Sequence, residues 1–423
     1  MYKKVITTAL FSFAVISVNA QIDSLKVNFD LRTRGELDNG ARTLIPKGKS
    51  AETTVLSRAR MGVDYYYKNL EIYFSVQDVR TWGENTSNAS KNQNFILNEA
   101  WAKYQVSEKI GVKLGRQILS YDDERLVGGL DWAMQGRSFD ALKGIFLLGK
   151  NSKLEAVVTY NNDDNDANDL EDKELYTIAE AGEITKSIQL LHYEYKNDSG
   201  FKFSAIGMNS VLQNPSGTHF DMLTLGVNLS KTIQNVRLFG SAYYQTGKNT
   251  AGQSKSAYQF SINGDVAWNQ KIHSVIGSEL LSGNSSNTSA ANNRAFSPLY
   301  GTNHKFNGFM DYFYSGASYF NSFGLNDYYL KNSFTLSPQT SLDANVHLFT
   351  SNGKLGNGLS SYLGTEADLV FNAKIGKIIT INLGQSLLFA GDGMKFVKNV
   401  SDPKGLQSWS WIGIKISPNF RLL

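Results

Sequence analysis

The chain has 423 residues, a formal net charge of +4, 12% aromatic residues and no cysteine. The absence of cysteine excludes disulfides, thiolate metal sites and a lipid-bearing cysteine at a processed N-terminus, and the near-balanced charge argues against a nucleic-acid partner. Mean hydropathy is −0.29, and beyond the first twenty residues no apolar run reaches the roughly 20 residues of a transmembrane helix.

The first predicted element is a leader. Tyr2-Lys3-Lys4 is a basic start, Val5 to Val18 is an apolar run, and Val18-Asn19-Ala20 is a small-residue cleavage site. These features define a secretory signal peptide over residues 1–20, cleaved after Ala20, with the mature domain at 21–423. Lys3 and Lys4 leave with it, so the mature chain carries two fewer positive charges.

The rest of the chain alternates with period two. Leu25-Lys26-Val27-Asn28-Phe29-Asp30-Leu31-Arg32 opens the pattern, Tyr258 to Trp268 repeats it, and Ile412, Ile414 and Ile416 close it. Alternation of this kind is a strand with one apolar and one polar face. Such segments fall near 25–35, 53–67, 69–82, 95–106, 109–119, 137–149, 152–161, 186–196 and 200–210. They continue near 219–231, 234–247, 256–270, 272–282, 325–336, 340–350, 362–374, 377–390 and 407–420. Tight turns such as Lys68-Asn69, Ser337-Pro338-Gln339 and Ile375-Gly376-Lys377 take turns with long polar connections at 36–52, 83–94, 120–136, 162–185, 283–324 and 391–406.

Short turns on one side and long loops on the other predict an all-β fold: a single transmembrane antiparallel β-barrel of about 18 strands in the outer membrane of a bacterium. The aromatic stretch Gly308 to Phe320 would make a nineteenth strand. That count would put the Ser337-Pro338-Gln339 turn on the long-loop side, so 283–324 is read as one long external connection folding toward the lumen. Closure is the physical reason for a barrel, since hydrocarbon offers no partner to a free sheet edge. Tyr65-Tyr66-Tyr67, Tyr243-Tyr244, Tyr328-Tyr329, Trp409 and Trp411 are candidates for the interfacial girdles. A soluble sandwich or propeller is disfavoured, because no blade-length repeat is present.

With apolar residues on lipid, the alternation fixes the inward side chains. The first strand sends Lys26, Asp30, Arg32 and Arg34 inward, the second Arg58, Arg60 and Asp64, the fourth Glu99, Trp101 and Lys103, and the fifth Lys113. A bulge at Gly115 is expected to turn Arg116 inward as well. Nine of the twelve arginines precede residue 138. Such a wall makes a positive field in a confined tube, and its planar forks suit carboxylate and phosphate. The bland reading is that the arginines pair with Asp30, Asp64, Asp78 and Glu99 and fill the barrel.

The run Asp163 to Glu174 resembles a calcium loop but places Asp169 where glycine is required and Leu175 where glutamate is required, so a solvated outer loop is the better reading. The five histidines show no pair at metal spacing, and neither metal nor cofactor is expected. His304 in the long loop with Asp311 nearby is the only suggestive pair for a surface hydrolase, while His192 and Glu194 share a strand face but have no obvious serine partner. A closed barrel acting as anchor or adhesin is a further alternative.

The stretch Gly115 to Lys143, "GRQILSYDDERLVGGLDWAMQGRSFDALK", resembles the signature of the alginate-export family of outer-membrane porins, and "FSPLYGTNHKFNGFMDYF" (Phe296 to Phe313) resembles a second motif of the family. The resemblance implies a monomeric eighteen-stranded barrel passing an anionic uronate polysaccharide through an arginine-lined constriction. It extends to Arg116, Gln117, Arg125, Arg137 and Asp140, while Arg32, Arg34, Arg58, Arg60, Lys103 and Lys113 rest on alternation. Asp122, Asp123 and Glu124, with Asp140, are candidate gating acids, the first three expected to pair with Arg125 or Arg137 in the empty channel. The expected partners are outer-membrane lipid, the barrel-assembly machinery and an anionic solute or polysaccharide. A general diffusion porin without anion preference is the main alternative.

Overall fold

The computed structural model describes residues 24–84, 95–161, 178–179, 183–214, 216–314 and 323–422. The leader and the acidic run at 163–174 lie outside them. Eighteen antiparallel strands close into one barrel. They are β1 (Ser24–Asn39), β2 (Glu52–Tyr67), β3 (Leu70–Thr81), β4 (Phe95–Ser107), β5 (Ile110–Gln117) and β6 (Phe139–Leu147). Next come β7 (Ser152–Tyr160), β8 (Glu183–Lys196), β9 (Phe201–Gln213), β10 (His219–Ile233), β11 (Val236–Lys248) and β12 (Ser254–Ala267). The circuit ends with β13 (Ile272–Leu281), β14 (Leu325–Ser337), β15 (Thr340–Thr350), β16 (Tyr362–Ile375), β17 (Ile379–Ala390) and β18 (Gln407–Ile416).

Each strand pairs with the next, and β1 pairs with β18 from Leu31↔Ile416 to Asn39↔Ser408. Beyond Pro418, the short piece Asn419–Arg421 continues the pairing along β1. Proline cannot donate to the ladder, so the break falls there. β13 pairs directly with β14, from Ile272↔Phe334 to Leu281↔Leu325. The aromatic stretch after Gly308 therefore inserts no strand between them.

Alternation decides which face meets lipid. On β10, Leu223, Leu225, Val227 and Leu229 are exposed, while Met222 and Thr224 are buried. On β18, Ile412 and Ile414 are exposed while Trp409 and Trp411 are buried. The two tryptophans thus point into the barrel and do not belong to a girdle. Neighbouring residues on a strand face opposite ways, so the tyrosine pairs split: Tyr244 and Tyr328 are exposed, Tyr243 is buried, and the Tyr329 hydroxyl donates to Asn263.

The largest apolar cluster lies inside the barrel. Leu119, Tyr121, Leu126 and Val127 from the β5–β6 connection pack with Phe296, Leu299, Tyr300, Met310, Tyr312 and Phe313 from the β13–β14 connection. The two loops join as a short parallel ladder at Val127↔Tyr300, with Gly128 N–H donating to Tyr300 O at 2.8 Å and Thr302 N–H to Glu124 O at 2.9 Å. Above them, Arg42 N–H donates to Met310 O at 2.7 Å, and Lys398, in helix α1 (Asp392–Lys398), donates to Tyr312 O at 2.7 Å and Arg42 O at 3.1 Å. The first and last external loops thereby hold the long loop down.

Candidate functional site

β1 and β2 run antiparallel with Asp30 opposite Arg60 and Arg32 opposite Arg58. Cross-strand side chains on one face are near neighbours, so four guanidinium groups gather with two carboxylates, Asp30 and Glu36, on the inner wall. Arg58 reaches Asp30 at 2.9 Å, and Arg32 reaches the same carboxylate at 3.5 Å. Arg34 pairs with Glu36 at 2.6 Å, and Arg60 is held by Gln77 at 2.6 and 2.8 Å. Of the acids expected as neutralising partners, Asp30 takes that role, Asp78 pairs with Arg80 at 2.6 Å, Asp64 accepts from Asn28, and Glu99 accepts from Trp101 Nε1 and Ile118 N–H.

The β5–β6 loop lies against this cluster. Asp131 accepts from Arg32 at 3.0 Å and Arg58 at 3.1 Å, and stands 4.0 Å from Arg60. The backbone carbonyls of Asp131, Trp132, Met134 and Gln135 accept from Arg32, Arg34, Arg58 and Arg60 respectively. The Arg58 side chain is left 0% exposed, while that of Asp131 stays 63% exposed. Burial pushes the Asp131 carboxyl up, but Arg32 and Arg58 outweigh burial and hold it below the usual carboxylate range. Trp132 is stacked on His304 at 4.0 Å and carries Arg34 at 4.3 Å on its ring.

Arg125 is 0% exposed. It pairs with Glu279 of β13, donates to Asn307 at 3.1 Å and lies 3.7 Å over the Phe306 ring. Asn307 in turn donates to Asp327, which is bound by His347 at 2.9 Å. Glu366 accepts from Met310 N–H at 2.8 Å, and Asp368 from Ser386 at 2.5 Å. This buried polar network fixes the long loop to β13, β14 and β16. Of its members sequence reasoning singles out Arg125 alone; the inward alternation of Asp327, His347, Glu366 and Asp368 is the signal that carries the others on strands. Arg137 donates to Gly301 O at 3.0 Å and so ties the two loops together.

The gating acids do not pair with Arg125 or Arg137 side chains in the way expected. Asp122 meets His192 Nε2 at 3.1 Å and accepts from Ser204. Asp123 accepts from the Arg125 backbone N–H at 3.0 Å, and Glu124 pairs with Lys305 at 2.9 Å and with Ser120. The backbone is the reason: Asp122 and Glu124 take left-handed φ values of 55° and 69°, and the Arg125 guanidinium is already engaged by Glu279. Burial pushes the Asp123 carboxyl up against the pull of Arg125. For Glu124 the hydrogen bonds from Lys305 and Ser120 overcome burial and hold it low.

Arg116 is the other correction. Gly115 has φ +119°, yet the ladder runs in register through Ala100↔Arg116, Trp101↔Gly115 and Ala102↔Leu114. The irregularity lies in β4 instead, where Asn98 is skipped between Ser75↔Glu99 and Val76↔Leu97. Arg116 therefore shares the outer face with the exposed Leu114 and pairs at 2.9 Å with Asp140, which shares that face with Leu142. Gln117 is buried and donates to Ala141 O at 2.9 Å, joining β5 to β6. Lys113 stands opposite both Lys103 and Lys143, making a row of three lysines near the short-turn end. Lys103 pairs with Glu71 at 3.3 Å, Lys113 sits 3.5 Å over Trp101, and Lys143 pairs with Glu155 at 3.5 Å. Lys143 is an addition to the expected residues.

Hydrolytic arrangements fit poorly. A serine is activated by an imidazole that an acid orients. Here Asp122 touches both Ser204 and His192, so the acid holds the middle position. His304 bonds Asp311 at 2.8 Å, but its ring is buried and stacked between Trp132 and Phe309. Among the described residues no group of three or more metal-ligating side chains occurs, and no helix is long and apolar enough to cross a membrane.

A closed barrel with lipid-facing apolar rows, a charged inner wall and loops folded into its lumen is the architecture of an outer-membrane porin. The comparisons agree. The alginate-export family matches over residues 23–403, and the chain belongs to that family. No curated protein matches it. Among solved structures it is similar to OccAB1 of Acinetobacter baumannii, with a TM-score of 0.65 at 13% identity over 96% of this chain and 99% of that one. It is also similar to OccAB4 of the same organism (0.63, 11%, 95% and 100%). The outer membrane protein OpdK of Pseudomonas aeruginosa is a third (0.63, 9%, 94% and 100%). At these identities the likeness is one of fold.

Proposed function

We propose that this porin conducts anionic solutes passively, with an acidic polysaccharide of the alginate type as its largest cargo class. The observation that carries the proposal is the gathering of Arg32, Arg34, Arg58 and Arg60 on the inner wall of β1 and β2. Guanidinium forks replace the hydration of carboxylates, and a wall with an excess of positive charge raises local anion concentration. Lys103, Lys113 and Lys143 extend the positive path toward the short-turn end. Arg125 and Arg137 act indirectly by holding the two inner loops. The chain works as a monomer in outer-membrane lipid, exported by its leader and inserted by the barrel-assembly machinery.

A general diffusion channel is the second reading. It is favoured by the pairing of all four arginines with acids, amides or loop carbonyls. Reversal potentials of the refolded protein under a salt gradient separate the two. The expected result is anion preference that falls by severalfold when Arg58 and Arg60 are both replaced by Ser, together with block by polyuronate. Unchanged selectivity in that variant would make the arginines structural.

A further inference from the structure

We infer that Asp131 is a tethered stand-in for the cargo's carboxylate and sets how tightly the arginine cluster takes an anion. The inference rests on the anion-channel reading and names the group recognised: a carboxylate, as on a uronate unit. Asp131 is the one acid of the β5–β6 loop that reaches Arg32 and Arg58 together. Its geometry is that of a bound solute, with one oxygen on each guanidinium. The same side chain remains 63% exposed, so it faces open space on its other side. A buried structural ion pair would not be placed so. Asp30 and Glu36, the acids carried by β1, are largely covered and belong to the wall itself.

Two consequences follow from charge alone. With Asp131 in place the cluster's local excess is reduced by one unit, which weakens its pull on a passing anion. A solute carboxylate must also displace Asp131 to reach the same donors, so the two compete. The competition is intramolecular, and the linking chain keeps Asp131 at a high effective concentration. Such a site releases its cargo readily, as conduction requires.

The test uses the refolded full-length barrel in planar bilayers, with galacturonate as probe and galactose as the neutral control. Asp131→Asn keeps the shape and removes the charge. It should lower the half-blocking concentration of galacturonate about fivefold, the scale of a partly exposed ion pair, and raise chloride preference, with galactose unaffected. Asp131→Glu keeps the carboxylate and should behave like the unaltered protein, which controls for loop disturbance. If the unaltered channel prefers anions and Asp131→Asn leaves block and selectivity unchanged, or weakens block, the stand-in role is wrong while the channel reading survives. If neither protein prefers anions, the anion-channel reading fails and takes this inference with it.

Discussion

Arg125 is a charge with no access to solvent, and its environment is built around it. Glu279, Asn307 and the Phe306 ring enclose it. Replacing it with Ala leaves Glu279 buried without a counter-charge, which costs about 3–5 kcal/mol. The double variant Arg125→Met with Glu279→Met removes both charges and should recover most of that loss. Urea-unfolding midpoints of the refolded barrel would show it, and equal loss in single and double variants would contradict the pairing. Sequence reasoning places Arg125 on the solute path because it lies in the family-like motif. Alternation does not correct this, since period two assigns faces only within strands and Arg125 is in a loop. The same limit explains Asp131, whose neighbours in space are about seventy to a hundred positions away. Arg116 fails differently: its strand is legible, but whether Gly115 bulges depends on the facing strand, and β4 absorbs the irregularity at Asn98.

At the scale of elements, strands are legible because alternation is local and repeated, and their observed ends fall close to the expected ones. The destination of the long loops is not, because it is set by contacts between distant segments. The outer cap offers a test of one such contact. Lys398 in α1 is half-buried against backbone carbonyls, and burial pulls its ammonium down from the ordinary 10.5 to about 8. In the docked cap it releases its proton near pH 8; in an opened cap it keeps the proton until about 10.5. The opened state thus binds more protons between these values, and docking should strengthen as pH rises through that window. Below pH 8 both states are protonated and docking should be independent of this group. Hydrogen-exchange protection of Asn399 and Val400, whose N–H groups close the helix C-terminus, should increase from pH 7.5 to 9.5 after correction for intrinsic exchange. A flat profile would mean that the ammonium is better hydrated than its burial indicates.

For the whole molecule, the strand pairing of the barrel does not run through the inner loop. β13 and β14 pair along their full facing lengths, and the two chain ends of the intervening loop meet at Gly283 and Gly324, where a Cβ on either would strike the other's backbone. A short turn can therefore replace residues 284–323. The prediction is a barrel that still resists dissociation in detergent and conducts severalfold more current, because the apolar cluster of Phe296, Tyr300, Met310 and Tyr312 has left the lumen. Loss of the folded barrel would show that the loop supports the wall as well as filling it.

The pairing of β1 with β18 also has a meaning in time. The residues that seal the first strand, Ser408 to Ile416, follow all the other barrel strands in chain order. Until they arrive, the N-terminal strand has one unsatisfied edge, and so does every strand that is momentarily the newest. No partial chain is a smaller version of the finished ring. Closure is therefore a single late event: the ring is complete only when β18 meets β1.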